Sequence, residues 1–300
     1  MAVVSSACWT AFDVVRKRVG EDMSATGALI ALMVFQLPFA LPLLTIGALS
    51  DLGERDFVLW SLSFPPLIEP TPLYLGLFAG TLFFNVVANL LFLRAVQISP
   101  LSLTTPYLSF TPVFTALLSL VAYNEVPSMW GWVGITVVCL GAFFLNPGEG
   151  SSALAPIKAL WTERGSLYMV LVALLWSFTP LIDKKASGLA SPLWHVALIG
   201  AGTLLTFASY RIIKDGWSSM GEVVRRAKPL TWWLVAGGVT AVGALVVQLA
   251  AYEYTDIAYV ETVKRAIGVT GAMLAGYVLF GERDIARRLV GAAVMLVGVA

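Results

Sequence analysis

Ten long apolar runs decide what this chain can fold into. A helix needs about 20 mostly apolar residues to cross a bilayer, rising about 1.5 Å per residue. By that measure the candidate spans are residues 1–15, 27–49, 73–95, 101–123, 129–145, 167–182, 193–213, 230–252, 257–280 and 285–300. The first, sixth and tenth are short. The runs are continuous rather than alternating, which argues against a transmembrane barrel. Composition agrees: 58% of the 300 residues are hydrophobic and 12% charged, against about 25% charged in an average soluble domain. The apolar excess must face lipid. A net charge of +1 provides no basic field for phosphates and argues against nucleic acid as a partner. Cys8 and Cys139 lie in apolar runs and read as buried small residues, not as a disulfide or a metal site, and no cofactor is expected. No basic stretch precedes the first run, so it reads as a retained helix rather than a cleaved signal.

The runs fall into two related groups. Shifted by 167 positions, Trp9 meets Trp176, Arg16-Lys17-Arg18 meets Asp183-Lys184-Lys185, and Ser24 meets Ser191. Shifted by 157, Tyr123-Asn124-Glu125 meets Phe280-Gly281-Glu282, Gly134 meets Gly291, and Gly141 meets Gly298. The change of offset places about ten extra residues in the first half, most naturally in the loop 51–72, since weak internal similarity of this kind is how transporter repeats look in sequence. That loop has an apolar stretch around Phe57–Leu62 suited to the membrane surface. Five is an odd number, so the second group enters the membrane from the opposite side. The expected fold is all-α integral membrane, with ten transmembrane helices in two inverted five-helix repeats. The repeats cover residues 1–146 and 166–300, and a Gly-, Ser-, Ala- and Pro-rich linker covers 147–165. Residues 215–229 are basic and predict one short surface helix. With helix ends included, the odd-numbered connections carry 14 of the 19 Lys and Arg and the even-numbered ones 3. By the positive-inside rule this places both termini outside.

Charges inside the apolar runs point to function. Lys264 and Arg265 stand about 10 Å into the ninth span, where a charge costs about 2.5–3.5 kcal/mol unless it faces a partner or a wet cavity. Glu261 precedes Arg265 by one turn, the favourable order for an ion pair. Either that pair merely braces packing, or Lys264, pointing about 100° away, stays unpaired as a fixed cation for an anionic substrate, or the helix starts later and leaves both cations at the interface. Asp13 reads as a local partner of Lys17 in preference to a proton-coupling carboxylate. Asn85 and Asn89 share a helix face, for interhelical hydrogen bonds or for cavity lining. Tyr107 lies between Pro106 and Pro112, which free backbone carbonyls that need other partners. Gln248 and Tyr252 belong to the same polar group, and Trp9 and Trp176 either flank a cavity or fill space. His195, the sole histidine, reads as interfacial, because a metal site needs more ligands. Glu125 and Glu282 read as helix caps. The seven-residue glycine spacing in spans 5 and 10 marks close helix packing, with each other or with a second protomer.

These features together resemble the drug/metabolite transporter superfamily, and within it the ten-helix group with two EamA-type repeats. The resemblance rests on three features: the five-plus-five layout, the Trp before Arg16-Lys17 and Lys184-Lys185, and the Asn124-Glu125 and Gly281-Glu282 turns before Gly-rich helices. It implies a central cavity lined by helices of both repeats, with helices 5 and 10 peripheral, and alternating access. It also implies cytoplasmic termini, opposite to the loop charges. The glycine spacing is similar to that of the last helix of small multidrug transporters and implies a candidate homodimer through helices 5 and 10. Lys264-Arg265 is similar to the basic pair in the ninth helix of phosphate translocators, which bind organic phosphates.

The resulting expectation is a secondary transporter of a small polar metabolite, anionic or amphoteric, in a bacterial inner membrane. Its partners would be a small-molecule substrate and membrane lipid. The expected substrate-binding residues are Lys264, Arg265, Glu261, Tyr107, Asn85, Asn89, Trp9, Trp176, Asp13 and Gln248. The alternative is a non-transporting helical scaffold or sensor. An enzyme is not expected, because HExxH, GxSxG and paired-histidine motifs are absent from the sequence.

Overall fold

A computed structural model describes residues 1–52, 57–59, 62–64, 71–99, 104–144, 164–190, 192–280, 291, 293–295 and 297–298. The helices are α1 (Ala2–Asp22), α2 (Ala25–Leu52), α3 (Pro72–Ile98), α4 (Thr111–Tyr123), α5 (Met129–Phe144), α6 (Arg164–Ser187), α7 (Pro192–Asp215), α8 (Ser218–Ala227), α9 (Thr231–Tyr254) and α10 (Ile257–Phe280). Helix α8 is the predicted surface helix, so α9 and α10 are the eighth and ninth spans. Residues 291, 293–295 and 297 of the tenth are helical. The linker 147–163 and the turn bearing Glu282 lie outside the described residues. In the loop after α2, the strands Phe57–Leu59 and Leu62–Phe64 pair as an antiparallel hairpin.

Local chemistry sets the boundaries. Helix α3 opens on Pro72, and the Thr71 hydroxyl accepts the Tyr74 amide at 3.2 Å; both devices suit a first turn, whose amides lack helical partners. Helix α4 ends at Asn124, whose φ of 55° is left-handed, a conformation that Asn tolerates beside a helix end. Gly216 closes α7 with a φ of 76°. The fourth span is not one helix from residue 101. A 3-10 helix, Thr105–Phe110, precedes α4, and each piece has a proline in its first turn, Pro106 and Pro112. A proline cannot donate to the preceding turn, so each one restarts the helix.

Among the described residues, five helical segments are long and apolar enough to cross a membrane. The two helices with charges in mid-span, α1 and α10, fall outside that test. Their charges turn inward, as described below. Large apolar side chains cover the outside: Val121, Trp130, Ile213 and Trp232 are each more than 80% exposed, as lipid-facing positions require.

Helix α1 packs on α9 and α10, α6 packs on α3 and α4, and α2 packs on α7 and α9. Phe12, Val15 and Val19 of α1, Leu29 and Leu32 of α2, Phe92 of α3, Met169 of α6 and Leu234 of α9 share the largest core cluster. The peripheral glycines of α5 meet the last helical residues of the same chain. A methyl group on Gly134 would stand 2.5 Å from the Gly298 carbonyl oxygen, and one on Gly141 would stand 2.7 Å from the Met295 nitrogen. Small residues permit this backbone approach.

Candidate functional site: a charged central cavity

Seven helices, α1, α2, α3, α6, α7, α9 and α10, enclose about 1130 Å3 of empty space, the mouth included. Helical spacing builds the wall. Trp9, Asp13 and Arg16 lie on one face of α1, Asn85 and Asn89 on one face of α3, and Trp176, Thr179 and Asp183 on one face of α6. Helix α9 adds Gln248 and α10 adds Lys264 and Arg265. A concave site with a few convergent polar groups in an apolar wall is the usual form of a small-molecule site.

A cationic group surrounds Trp176. The Arg16 guanidinium lies 5.4 Å from the indole centre and 4.5 and 4.6 Å from the rings of Phe12 and Phe92. The Arg265 guanidinium lies 5.7 Å from the same indole. A planar guanidinium stacks on aromatic faces and is more weakly hydrated than an ammonium, which suits both arginines to an aromatic wall. Arg16 also donates to Asp13 Oδ1 at 3.2 Å and to Asn89 Oδ1 at 2.5 Å. Asn89 in turn donates to the Asn85 carbonyl at 2.8 Å.

Glu261 lies behind this group, fully buried. Lys264 donates to its Oε1, and Arg265 Nη2 stands 3.5 Å from its Oε2. Tyr252 donates to Glu261 at 2.9 Å. Gln248 donates to Tyr252, and it accepts from the Trp9 indole at 2.5 Å and from Lys264 at 3.4 Å. This part of the cavity thus joins three cations, Arg16 and Arg265 beside Trp176 and Lys264 next to Arg265 on α10, to two carboxylates, Asp13 and Glu261.

A second group lies two turns further along α6, about 10 Å from Trp176. Asp183 Oδ1 accepts the Thr81 hydroxyl at 2.7 Å and stands 3.1 Å from His195 Nε2. His195 Nδ1 stands 3.3 Å from the Tyr74 hydroxyl. Between the two groups lies Pro180, which cannot donate to the Trp176 carbonyl one turn back. The Thr179 hydroxyl donates to that carbonyl instead, at 3.3 Å.

Eight of the ten expected site residues line the cavity: Trp9, Asp13, Asn85, Asn89, Trp176, Gln248, Lys264 and Arg265. Glu261 does not line it but holds two residues that do. Tyr107 is buried in the main core cluster, where the 3-10 segment turns it away from the cavity wall. Several pairings differ from expectation. Lys264 is not unpaired, because Glu261 spans both neighbouring cations through its two oxygens. Asp13 pairs with Arg16, one position short of Lys17, because Arg16 turns inward. His195, near the start of α7, is fully buried among the helices. Glu125 binds Lys184 at 2.6 Å, so it ties the α4–α5 turn to α6 instead of capping. Arg16, Asp183, Thr179, Gln36 and Thr203 line the cavity and were not expected there. The repeat offset held a signal for two of them: it sets Arg16 opposite Asp183, a charge reversal inside an otherwise basic match.

Residues 1–146 match the model of the EamA-like transporter family. This is the family the sequence resembles, and the match covers just under half of the chain. The family is one of membrane transporters, which agrees with the apolar helices. No curated protein matches the chain. A solved structure, described only as the crystal structure of a protein, is similar over 100% of this chain and 95% of its own, with a TM-score of 0.62 and 14% identity. At that identity the likeness speaks for the fold alone.

Proposed function

We propose that the chain is a secondary transporter that moves a small polar metabolite, anionic or amphoteric, by alternating access in a bacterial inner membrane. One observation carries the reading: at the Trp176 end of a membrane-embedded cavity, Arg16, Lys264 and Arg265 meet two carboxylates, Asp13 and Glu261, while the third cavity acid, Asp183, stands about 10 Å away with His195. A carboxylate or phosphate on a substrate supplies a third negative charge at that end. Buried Nε donors of Arg16 and Arg265 that lack a hydrogen-bond partner among the described residues add to that demand. A scaffold or sensor has no use for such a cavity and would gain from filling it with apolar side chains.

Two inverted five-helix halves rock around this site. Support comes from the packing, in which exchange of the halves maps contacts onto contacts. The α1–α9 contact has its counterpart in α6–α3, α1–α10 in α6–α4, and α2–α9 in α7–α3. The test has two parts. Amino acids, sugars, organic phosphates and cationic drugs are screened for stabilisation of the purified protein; a ligand at a hundred times its Kd adds about 2.7 kcal/mol. The compounds that bind are then followed by counterflow into proteoliposomes. Lys264→Ala leaves Glu261 paired with Arg265, so the protein should fold and lose uptake. Undiminished uptake by this variant, or stabilisation by cationic drugs alone, would overturn the anion-binding role.

A further inference from the structure

Three acids meet the cavity or the side chains that wall it, and their partners differ in kind. Asp13 is held by Arg16, and Glu261 by Lys264 and Arg265. These partners are arginine and lysine. Among the described residues, the ion-pair partner of Asp183 is His195. Imidazole is the one side chain whose ordinary titration spans physiological pH. His195 is the chain's sole histidine, fully buried, and it touches the one of these three acids that is not paired with a lysine or arginine among the described residues. We propose that Asp183 and His195 form a proton-binding site that couples proton movement to transport.

The hydrogen bonds fit this role. The distances accommodate an arrangement in which the Tyr74 hydroxyl donates to His195 Nδ1 and His195 Nε2–H donates to Asp183, which satisfies both nitrogens of a neutral imidazole. Both described bonds to Asp183 end on Oδ1. Oδ2 is the oxygen left to take a proton from cavity water. Uptake of one proton changes the pair from one negative charge to none, and release to the other side restores it. The groups that face Asp183 are few. They are Tyr74 and Thr81 from α3, His195 from α7, Tyr123 from α4 and Tyr252 from α9, the last two within electrostatic reach. Beside it on α6, Lys184 is turned to Glu125. Across the cavity, Arg16 is committed to Asp13 and Asn89. The uptake of a proton by this pair is therefore not pre-empted by a neighbouring ion pair. An anion at Trp176 and a proton at Asp183 together bring less charge into the membrane than the anion alone.

The coupling role rests on the transport reading above, so the test separates the two. The sole histidine, labelled with 15N, gives one side-chain signal pair in the detergent-solubilised protein. That signal should move reversibly with pH in wild type, and its midpoint should change in Asp183→Asn, which keeps the shape and the Thr81 contact. A pH-independent signal in the wild type, or an unchanged midpoint in the variant, would overturn the proton site. In proteoliposomes, a radiolabelled mixture of amino acids and organic phosphates is the probe. One coupled proton can drive up to about tenfold accumulation per pH unit. An imposed pH gradient should raise wild-type uptake, and the ratio of driven to undriven uptake should fall to one in Asp183→Asn and His195→Gln. Gradient drive that survives in both variants overturns the coupling while leaving the transport reading intact. Failure of the wild type to move any probe overturns the transport reading and the coupling with it, whereas the histidine titration still decides whether the pair binds a proton.

Discussion

The indole N–H of Trp9 donates to Oε1 of Gln248 at 2.5 Å, joining α1 to α9 across 239 positions of sequence. The same oxygen receives Lys264, so one amide sets the place of an aromatic wall and of a cavity cation. Trp9→Phe keeps an aromatic ring and deletes the donor. It should lower stability by about 1 kcal/mol, the usual net worth of such a bond. The apparent melting temperature in detergent is the measurement, and Gln248→Leu should cost more because it frees Trp9, Tyr252 and Lys264 together.

Glu261 and Lys264 should respond very differently to neutralisation. Glu261→Gln leaves two neighbouring buried cations without their carboxylate, a change worth about 3–5 kcal/mol. Lys264→Met leaves the Glu261–Arg265 pair and should cost far less. Thermal unfolding of the two variants side by side tests the order, and equal losses would contradict the shared-carboxylate geometry.

Arg16→Lys keeps the charge but loses the planar stack on Phe12, Phe92 and Trp176 and one of two fixed hydrogen bonds. Counterflow of a bound substrate should fall on the order of tenfold, about 1.4 kcal/mol. Asn89→Ala should give a smaller loss, because Asp13 still holds the guanidinium.

The α5 glycines are packing positions. Gly134→Ala presses a methyl on the Gly298 backbone and should destabilise by about 1–3 kcal/mol, as overpacking does. Gly76 in α3 has nothing within 4 Å of such a methyl, so Gly76→Ala is the control. It should be neutral or slightly stabilising, since alanine restricts the unfolded chain. Chemical denaturation in detergent reads both.

Most spans were legible because lipid imposes a length and a polarity on each helix, and α10 matches its expected bounds end for end. Lys264 and Arg265 were legible for the same reason, since charges in mid-span need an interior. Arg16 was not. It stands where an apolar run gives way to charges, and sequence position alone reads it as a loop cation, whereas α1 continues to Asp22 and carries it into the cavity. The burial of His195 was not legible for a related reason. Its nearness to the start of α7 suggested the interface, but Tyr74, which covers it, lies 121 positions away on α3, and Asp183, 12 positions away, reaches it from the end of α6. Tyr107 failed through backbone geometry, because two prolines broke its span into pieces with different helical pitch.

Pro180 gives α6 a mechanical property that α3 and α7, which pack on it, lack. A helix with a missing rung is compliant at that rung, and here the joint stands between Trp176 and Asp183. Flexing it changes the separation of the aromatic, cationic end of the cavity from the acid end while each half of the helix stays rigid. The Thr179 hydroxyl acts as a soft clasp on the joint, since a side-chain bond at 3.3 Å can be exchanged for water more readily than a backbone rung. Occupancy at one end of this lever is therefore felt as strain at the other.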